Sequence, residues 1–438
     1  ALFCSDELVR TRWFSRMGSS VLIVALLCVG SVVGSSDGEE ARYDNYRIYE
    51  LTTSTEDQLR TLGELSLSSD SLMFLEMGRK VGDKSSVVVS PHKLADFAET
   101  LANAGISARV LNMNLQSTID EERQRMMGRS GGEFGWTEYH TLEEIHAWLD
   151  KVATQYEQVE LIEGGHSYEN RSIKGVKVSY KSGNPGVFVE GGIHAREWIS
   201  PATVTYILNE LLTSQDPAVR NIAENYDWYV FPNANPDGYV YTHKRDRLWR
   251  KTRTPYSGGC FGADPNRNWD FHWAEQGTSS RCSTDTYGGP SAFSEVETKT
   301  LSSYIASLKG KIQAYIGFHS YSQLLLYPYG HTGEHTPNHN DLTEIAKATV
   351  TSLAKRYGTK YTYGNVYDAI YPASGSSVDW AYGTQDVRIA YTYELRPKSG
   401  SWNGFVLPPR QIIPTGEETL DSLVTLLEES SKRGYYDG

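Results

Sequence analysis

His194 and Glu197 stand three residues apart in the segment His194-Ala195-Arg196-Glu197-Trp198, just after the run 187–190 and the pair Gly191-Gly192. Such a pair is weak on its own, because His and Glu at this spacing occur often by chance and are more often solvated than metal-bound. Two further strand-like runs, 314–317 and 388–392, lead into Phe318-His319 and Tyr393-Glu394. If all three runs lie in one sheet, their carboxyl ends can converge where open α/β sheets bind ligands. Two imidazoles and one carboxylate are the donors that a catalytic zinc takes, with its fourth position left to water. His194, Glu197 and His319 are therefore expected to hold one Zn2+ per chain, and Glu394 remains as a general base. A competing series, His331, His335 and His339, would line one helical face, but Gly333 and Pro337 interrupt it and no carboxylate base accompanies it. That segment reads as an exposed loop.

The elements that must position these groups alternate from residue 139 onward between helical and strand patterns, with strands expected at 174–180, 186–190, 228–232, 314–319 and 388–395. This predicts an α/β fold, a mixed and mostly parallel sheet with helices on both faces. The His194 segment falls on a strand-to-helix loop, with Ser200 as helix cap and Pro201 as first helical residue. Upstream, residues 40–120 form a smaller unit with strands at 46–51, 72–75, 87–89 and 108–111 and helices at 55–65 and 91–104, the order of a small α+β ferredoxin-like sandwich. Between the two units, the polar stretch 121–132 carries Arg123, Arg125 and Arg129 before Ser130-Gly131-Gly132. It reads as a linker, either a plain one or one cut by a trypsin-like protease.

At 438 residues, with 39% hydrophobic and 22% charged residues, the composition is that of a globular protein rather than a disordered or fibrous one. A net charge of −12 argues against a polyanion surface, so no nucleic acid is expected as partner. The exception is the basic patch 244–253, whose default reading is a solvated face. Residues 1–35 read as an N-terminal extension plus signal peptide: Arg10, Arg12 and Arg16 precede the apolar run 21–33, and Met17 is the expected start. The run is short of the ~20 residues that cross a bilayer, so the mature chain is expected to be secreted, with no membrane association. Cys4 and Cys28 fall in the removable segment, leaving Cys260 and Cys282 to form one disulfide across 22 residues, worth about 3 kcal/mol. Asn170-Arg171-Ser172 is a glycosylation acceptor sequence.

Six motifs occur in order: HAREW at 194, RLWRKTR at 247, DPNRNWD at 264, HSYSQLLLYPYG at 319, IYPASGSSVDW at 370 and ELRP at 394. Across residues 40–435 the chain resembles the digestive zinc metallocarboxypeptidases of the A/B type, including their precursor forms. The resemblance implies the same three metal ligands, with Glu394 passing a proton from water to the departing amine. It implies that Arg250 stabilises charge on the scissile carbonyl oxygen, lifting it out of the solvated-patch reading. Asn266 and Arg267 would clamp the terminal carboxylate, with Tyr371 closing over it, while Arg196 and Tyr321 touch substrate more peripherally and Phe405 belongs to the pocket. Asp264 would orient His194 from behind.

Val378 stands where basic-specific relatives carry Asp, so the pocket base is apolar and the expected preference is A-type, for aromatic or bulky aliphatic C-terminal residues. The loop 397–403 is about two residues longer than the family pattern. Residues 40–120 become a propeptide, 121–132 a cleavable linker and 133–438 the catalytic domain of a monomer acting on peptide and protein C-termini. The alternatives are an inactive relative retained for binding and a zinc amidohydrolase with a non-peptide substrate. The presence of Glu394, Arg250 and every ligand disfavours the first. The trio Asn266, Arg267 and Tyr371 disfavours the second, since it reads a C-terminal carboxylate.

Overall fold

In the computed structural model, residues 39–436 are described except 69–70, 79 and 128–132. The expected signal segment 1–35 with Cys4 and Cys28, and the linker residues Arg129 and Ser130-Gly131-Gly132, lie outside the described residues. Everything below concerns the unit Glu40–Gly438.

Short apolar runs, covered on both faces, build the smaller sheet. Its strands are β1 (Arg47–Thr52), β2 (Leu72–Glu76), β3 (Lys84–Val89) and β4 (Ser107–Asn112), and its helices are α1 (Glu56–Ser68), α2 (Leu94–Ala104) and α3 (Leu115–Met127). The strands pair antiparallel in the order β2-β3-β1-β4. Val87 and Val89 point to a core with Leu51, Leu62, Phe97 and Leu101, whereas Val88 and Ile48 point the other way, into a cluster with Leu248, Tyr321, Phe405 and Val406. Successive side chains of a strand face opposite sides, so both faces of this sheet are buried, one by its own helices and one by the larger domain. Helix α2 ends at Gly105 in the left-handed conformation, which lets its N–H reach back to the carbonyls of Leu101 and Ala102.

The expected linker is corrected here: residues 121–127 are the last turns of helix α3, not a loop. Ile119 and Glu122 are buried on one face of that helix, and Glu122 grips Arg247 through bonds of 2.5 and 3.2 Å. Polar composition conceals the helix, because the partner of its buried acid lies 125 residues away.

The larger domain continues with α4 (Leu142–Gln155), β5 (Val159–His166), β6 (Ser172–Val178), β7 (Gly186–Glu190), α5 (Ile199–Thr213), α6 (Pro217–Asn225), β8 (Asp227–Phe231) and α7 (Pro236–Lys244). Then follow α8 (Val296–Ser307), β9 (Ile312–Ser322), β10 (Leu324–Tyr327), α9 (His339–Tyr357), β11 (Thr362–Asn365) and α10 (Val366–Ala369). The chain ends with α11 (Ser377–Gly383), β12 (Ile389–Lys398) and α12 (Ile412–Ser431). The sheet order is β11-β10-β12-β9-β7-β8-β6-β5. The pairs β10/β11, β12/β9, β9/β7 and β7/β8 are parallel, and the others are antiparallel. Every residue of β7 and β8 is buried, so both faces of the sheet centre are covered.

The expected strands all occur, displaced by up to three residues at their ends, and β5, β10 and β11 join them. Two of the additions, β10 and β11, have four residues each, too few to show a period. Ser200 is not the helix cap: α5 begins at Ile199, and the Ser200 hydroxyl donates to the Phe318 carbonyl at 2.5 Å and accepts from Gly192 N–H at 2.8 Å. It stitches the His194 loop to β9.

Candidate metal centre and substrate cleft

Parallel pairing of β9 with β12 sets His319 opposite Glu394, and pairing with β7 sets Gly317 opposite Glu190, four residues before His194. The chain leaves β7 through Gly192 at φ 63, where a Cβ would also lie 2.9 Å from the Asn233 side chain. The turn brings His194 Nδ1 to 2.8 Å from Glu197 Oε1 and 3.1 Å from His319 Nδ1, with His319 Nδ1 3.3 Å from Glu197 Oε2. All three side chains are buried. Behind His194, Asp264 Oδ1 lies 3.0 Å from Nε2, which fixes the proton there and leaves Nδ1 as a lone-pair donor. Two imidazole nitrogens and a carboxylate facing one buried point fit a zinc ion in number and kind. Among the described residues this is the one such group of His, Cys, Asp and Glu.

Asp264 serves two neighbours. Its second oxygen accepts from Arg250 Nε at 3.1 Å and Nη2 at 2.8 Å, while Arg250 Nη1 lies 3.8 Å from Glu197. Burial opposes ionisation of Asp264, but Arg250, His194 and Arg267 hold its carboxyl well below the usual range. Burial opposes ionisation of Glu197 too, and the two imidazoles again hold the carboxylate form. Glu394 differs: burial pushes it up to about 8, with the charge of Glu197 adding to the rise and His319 opposing it. One site thus contains an anionic ligand and a carboxyl able to carry a proton near neutrality.

Asn266, Arg267, Tyr321, Tyr371, Val378 and Phe405 line a cavity of about 570 Å³ shared with His194, Glu197, Arg250 and Glu394, and Arg196 lies outside that lining. Arg267 donates to the Gly277 and Asn266 carbonyls at 3.0 and 2.8 Å, and its Nη2 lies 3.4 Å from the Tyr371 hydroxyl. Asn266 Oδ1 accepts from Ser377 N–H at 2.9 Å. Val378 lies in the wall with Leu326, Val366, Ile370 and Ala373. Arg196 donates to Asp285 at 2.9 Å and to the Leu248 carbonyl at 3.2 Å, and its guanidinium sits 4.3 Å over the Phe405 ring, which Tyr321 meets edge-on. Phe405 and Tyr321 are both buried against the smaller sheet. Leu75, Glu76 and Met77 at the end of β2 also line the cavity. Cys260 and Cys282 are joined, closing the segment that carries Asn266 and Arg267.

The expected exposed loop holds in part: residues 333–335 are exposed outside any helix, but His331 is buried, its Nδ1 3.1 Å from Asp379 Oδ2. His335 and His339 stack at 3.7 Å, with His339 opening α9. Spacing alone could not reveal a partner 48 residues away. Sequence reasoning also passed over Glu190, Arg247, Asp285 and Asp379. For Glu190 a signal existed, an acid closing an otherwise apolar strand beside the metal loop.

A buried donor set fit for zinc, with a carboxyl and a guanidinium beside it, is the arrangement of a metal-dependent hydrolase. The description "zinc carboxypeptidase" matches residues 145–422 and "carboxypeptidase activation peptide" matches residues 49–122. Zinc carboxypeptidase A 1 of Anopheles gambiae is 64% identical over 425 residues, spanning 97% of this chain and 98% of that one. Carboxypeptidase B of Astacus astacus is 48% identical over 293 residues, 66% of this chain and 95% of its own. The crystal structure of carboxypeptidase A from Helicoverpa armigera superposes with a TM-score of 0.82 at 28% identity, covering 89% of this chain and 98% of that one. The chain belongs to the zinc carboxypeptidases, as a procarboxypeptidase with its activation peptide.

Proposed function

We propose that the protein is a secreted zymogen that, once cut, removes aromatic or bulky aliphatic residues from peptide C-termini with Glu394 as general base. The observation that supports this reading is one cavity lined by Glu394, Arg250, Arg267 and apolar Val378 together with the metal donors His194 and Glu197, with His319 buried beside them. A zinc ion held by His194, Glu197 and His319 supplies Lewis acidity toward a water and a carbonyl oxygen. Glu394 takes the proton of the attacking water on its carboxylate and returns it to the leaving amine nitrogen. Arg250, oriented by Asp264, donates to the oxygen on which charge develops. Arg267 and Asn266 pair with the free carboxylate, and Tyr371 closes beside them. Asp264 keeps the His194 tautomer. A Lys or Arg side chain at Val378 would lose its hydration without a counter-ion, whereas a Phe or Leu side chain gains about 1.5 to 3 kcal/mol.

Latency is supported by β2, which lines the cavity, and by burial of Tyr321 and Phe405 under the small sheet. Arg123 and Arg125 lie on helix α3, so a trypsin-like protease is proposed to cut at Arg129. The apolar run 21–33 supports secretion, and no helix among the described residues is long and apolar enough to cross a membrane. The active enzyme is proposed to be a monomer, and the exposed turn at Asn170 to be available for glycosylation.

The test measures metal content and hydrolysis of matched peptides ending in Phe or Arg, before and after trypsin, for wild type and Glu394→Gln. The expected pattern is one zinc per chain in both proteins, activity on the Phe peptide only after trypsin, and none from Glu394→Gln. Faster release of Arg than of Phe would overturn the specificity, and equal activity before and after trypsin would overturn the latency.

A further inference from the structure

Glu190 closes β7, is 1% exposed, and takes no part in the chemistry proposed above. One of its oxygens accepts from the Ser377 hydroxyl at 2.9 Å, and the buried Tyr315 hydroxyl lies within reach of both side chains. Ser377 is the first residue of α11, and Val378, the next, lines the cavity. The backbone N–H of the same Ser377 donates to Asn266 Oδ1 at 2.9 Å. Because a backbone N–H can only donate, the Asn266 atom it meets must be the oxygen, and the NH2 group is turned the other way. Asn266 itself lines the cavity. Two bonds on one serine therefore join an acid on the metal-bearing side of the sheet to the amide that faces substrate.

We infer that Glu190 is a positioning residue for the substrate's C-terminal carboxylate: it holds Ser377 so that Asn266 presents its NH2 group, and Val378 its side chain, to the bound terminal residue. This rests on the reading of Asn266 as part of the carboxylate clamp. From the far side, Asp379 accepts from Gly330 N–H at 2.8 Å and His331 N–H at 3.2 Å, so the start of α11 is pinned at both edges. Without the acceptor on Glu190, the first turn of α11 loses its tie to β7, and the Ser377 hydroxyl keeps only the Tyr315 hydroxyl of β9 beside it. The loss falls on substrate binding, since neither Glu190 nor Ser377 lines the cavity.

The experiment compares wild type, Glu190→Ala, Glu190→Gln, Ser377→Ala, the Glu190→Ala/Ser377→Ala double variant and Asn266→Ala as trypsin-activated full-length zymogens. Their KM and kcat on a C-terminal-Phe peptide and their zinc content are measured. Glu190→Ala and Ser377→Ala should each raise KM about tenfold, the effect of one hydrogen bond. Each should leave kcat within about threefold and zinc at one per chain, and the double variant should be no worse than either single one. Glu190→Gln, which keeps an acceptor for Ser377, should restore the wild-type KM. Should Glu190→Ala fail to fold, Ser377→Ala against Glu190→Gln carries the same comparison. An unchanged KM in Ser377→Ala, additive losses in the double variant, or loss of zinc with a fall in kcat would overturn the inference. If Asn266→Ala leaves KM unchanged, it is the clamp reading that fails. If Asn266→Ala raises KM and neither Ser377→Ala nor Glu190→Ala does, only the role of Glu190 is refuted.

Discussion

Replacing Glu122 by Ala should loosen the activation peptide from the enzyme while leaving the activated enzyme as it was. Glu122 and Arg247 are both buried and share a two-point contact. Burial pushes the Glu122 carboxyl up in spite of the guanidinium, so the charge on the acid contributes little by itself. The cost of truncation lies in what is stranded. Removing one member of a buried pair costs about 3–5 kcal/mol when the other has no alternative. Arg247 does keep the carbonyls of Arg196 and Phe405, each at 2.9 Å, and the face of Trp198 at 3.7 Å. That places the loss at the low end, about 3 kcal/mol, or roughly a hundredfold in the docking equilibrium. The assay is hydrolysis of a C-terminal-Phe peptide by uncut zymogen, kept uncut with a serine-protease inhibitor. Glu122→Ala should leak up to about a hundredfold more activity than wild type, with the fully activated level as ceiling, and Glu122→Gln should leak far less. After trypsin all three should have the same kcat/KM. A Glu122→Ala zymogen as silent as wild type would refute the reasoning, as would equal leakage from the Ala and Gln variants.

Arg250→Ala should lower kcat about 100- to 1000-fold, the usual loss for one oxyanion donor, with zinc content unchanged because Asp264 still holds His194. Loss of zinc in that variant would show instead that Arg250 acts through the metal ligands. Glu297 gives a pH prediction away from the metal: burial pushes its carboxyl up to about 8, with the charges of Asp237 and Glu295 adding to the rise. A carboxyl raised in the folded state contributes stability that is present below its unfolded pKa and is lost as pH rises through about 8. The Tm of wild type should therefore fall relative to Glu297→Gln between about pH 4.5 and 8 and run parallel to it above. A constant difference across that window would contradict the assignment.

The short apolar runs ending in His319 and Glu394, and the run ending just before His194, were enough to expect three strand ends meeting at one metal. A residue's place on a strand is a local property, and pairing in register then carries it across the sheet. The β-α-β-β-α-β order of the small unit was legible because short apolar runs alternate with two longer helical stretches in the chain. The polar run 121–127 was not, because a helix with one buried face and a buried acid has the composition of a linker. Ser200 looked like a cap because its residue type and a following proline are cap signals, yet its hydroxyl is claimed by Phe318 of a distant strand.

By itself, the sequence determined the chemistry of the donors, the order of the elements and the residue types that read a free carboxylate. Only the tertiary structure decided which further buried groups hold them in place: Arg250 on the Asp264 already expected behind His194, Ser377 between Glu190 and Asn266, Asp379 on His331, and Glu122 on Arg247. Most of these partners are 48 to 187 residues apart. No period of the chain encodes such distances; they arise when sheet and helices pack, and buried polar atoms must then find partners wherever the fold brings them.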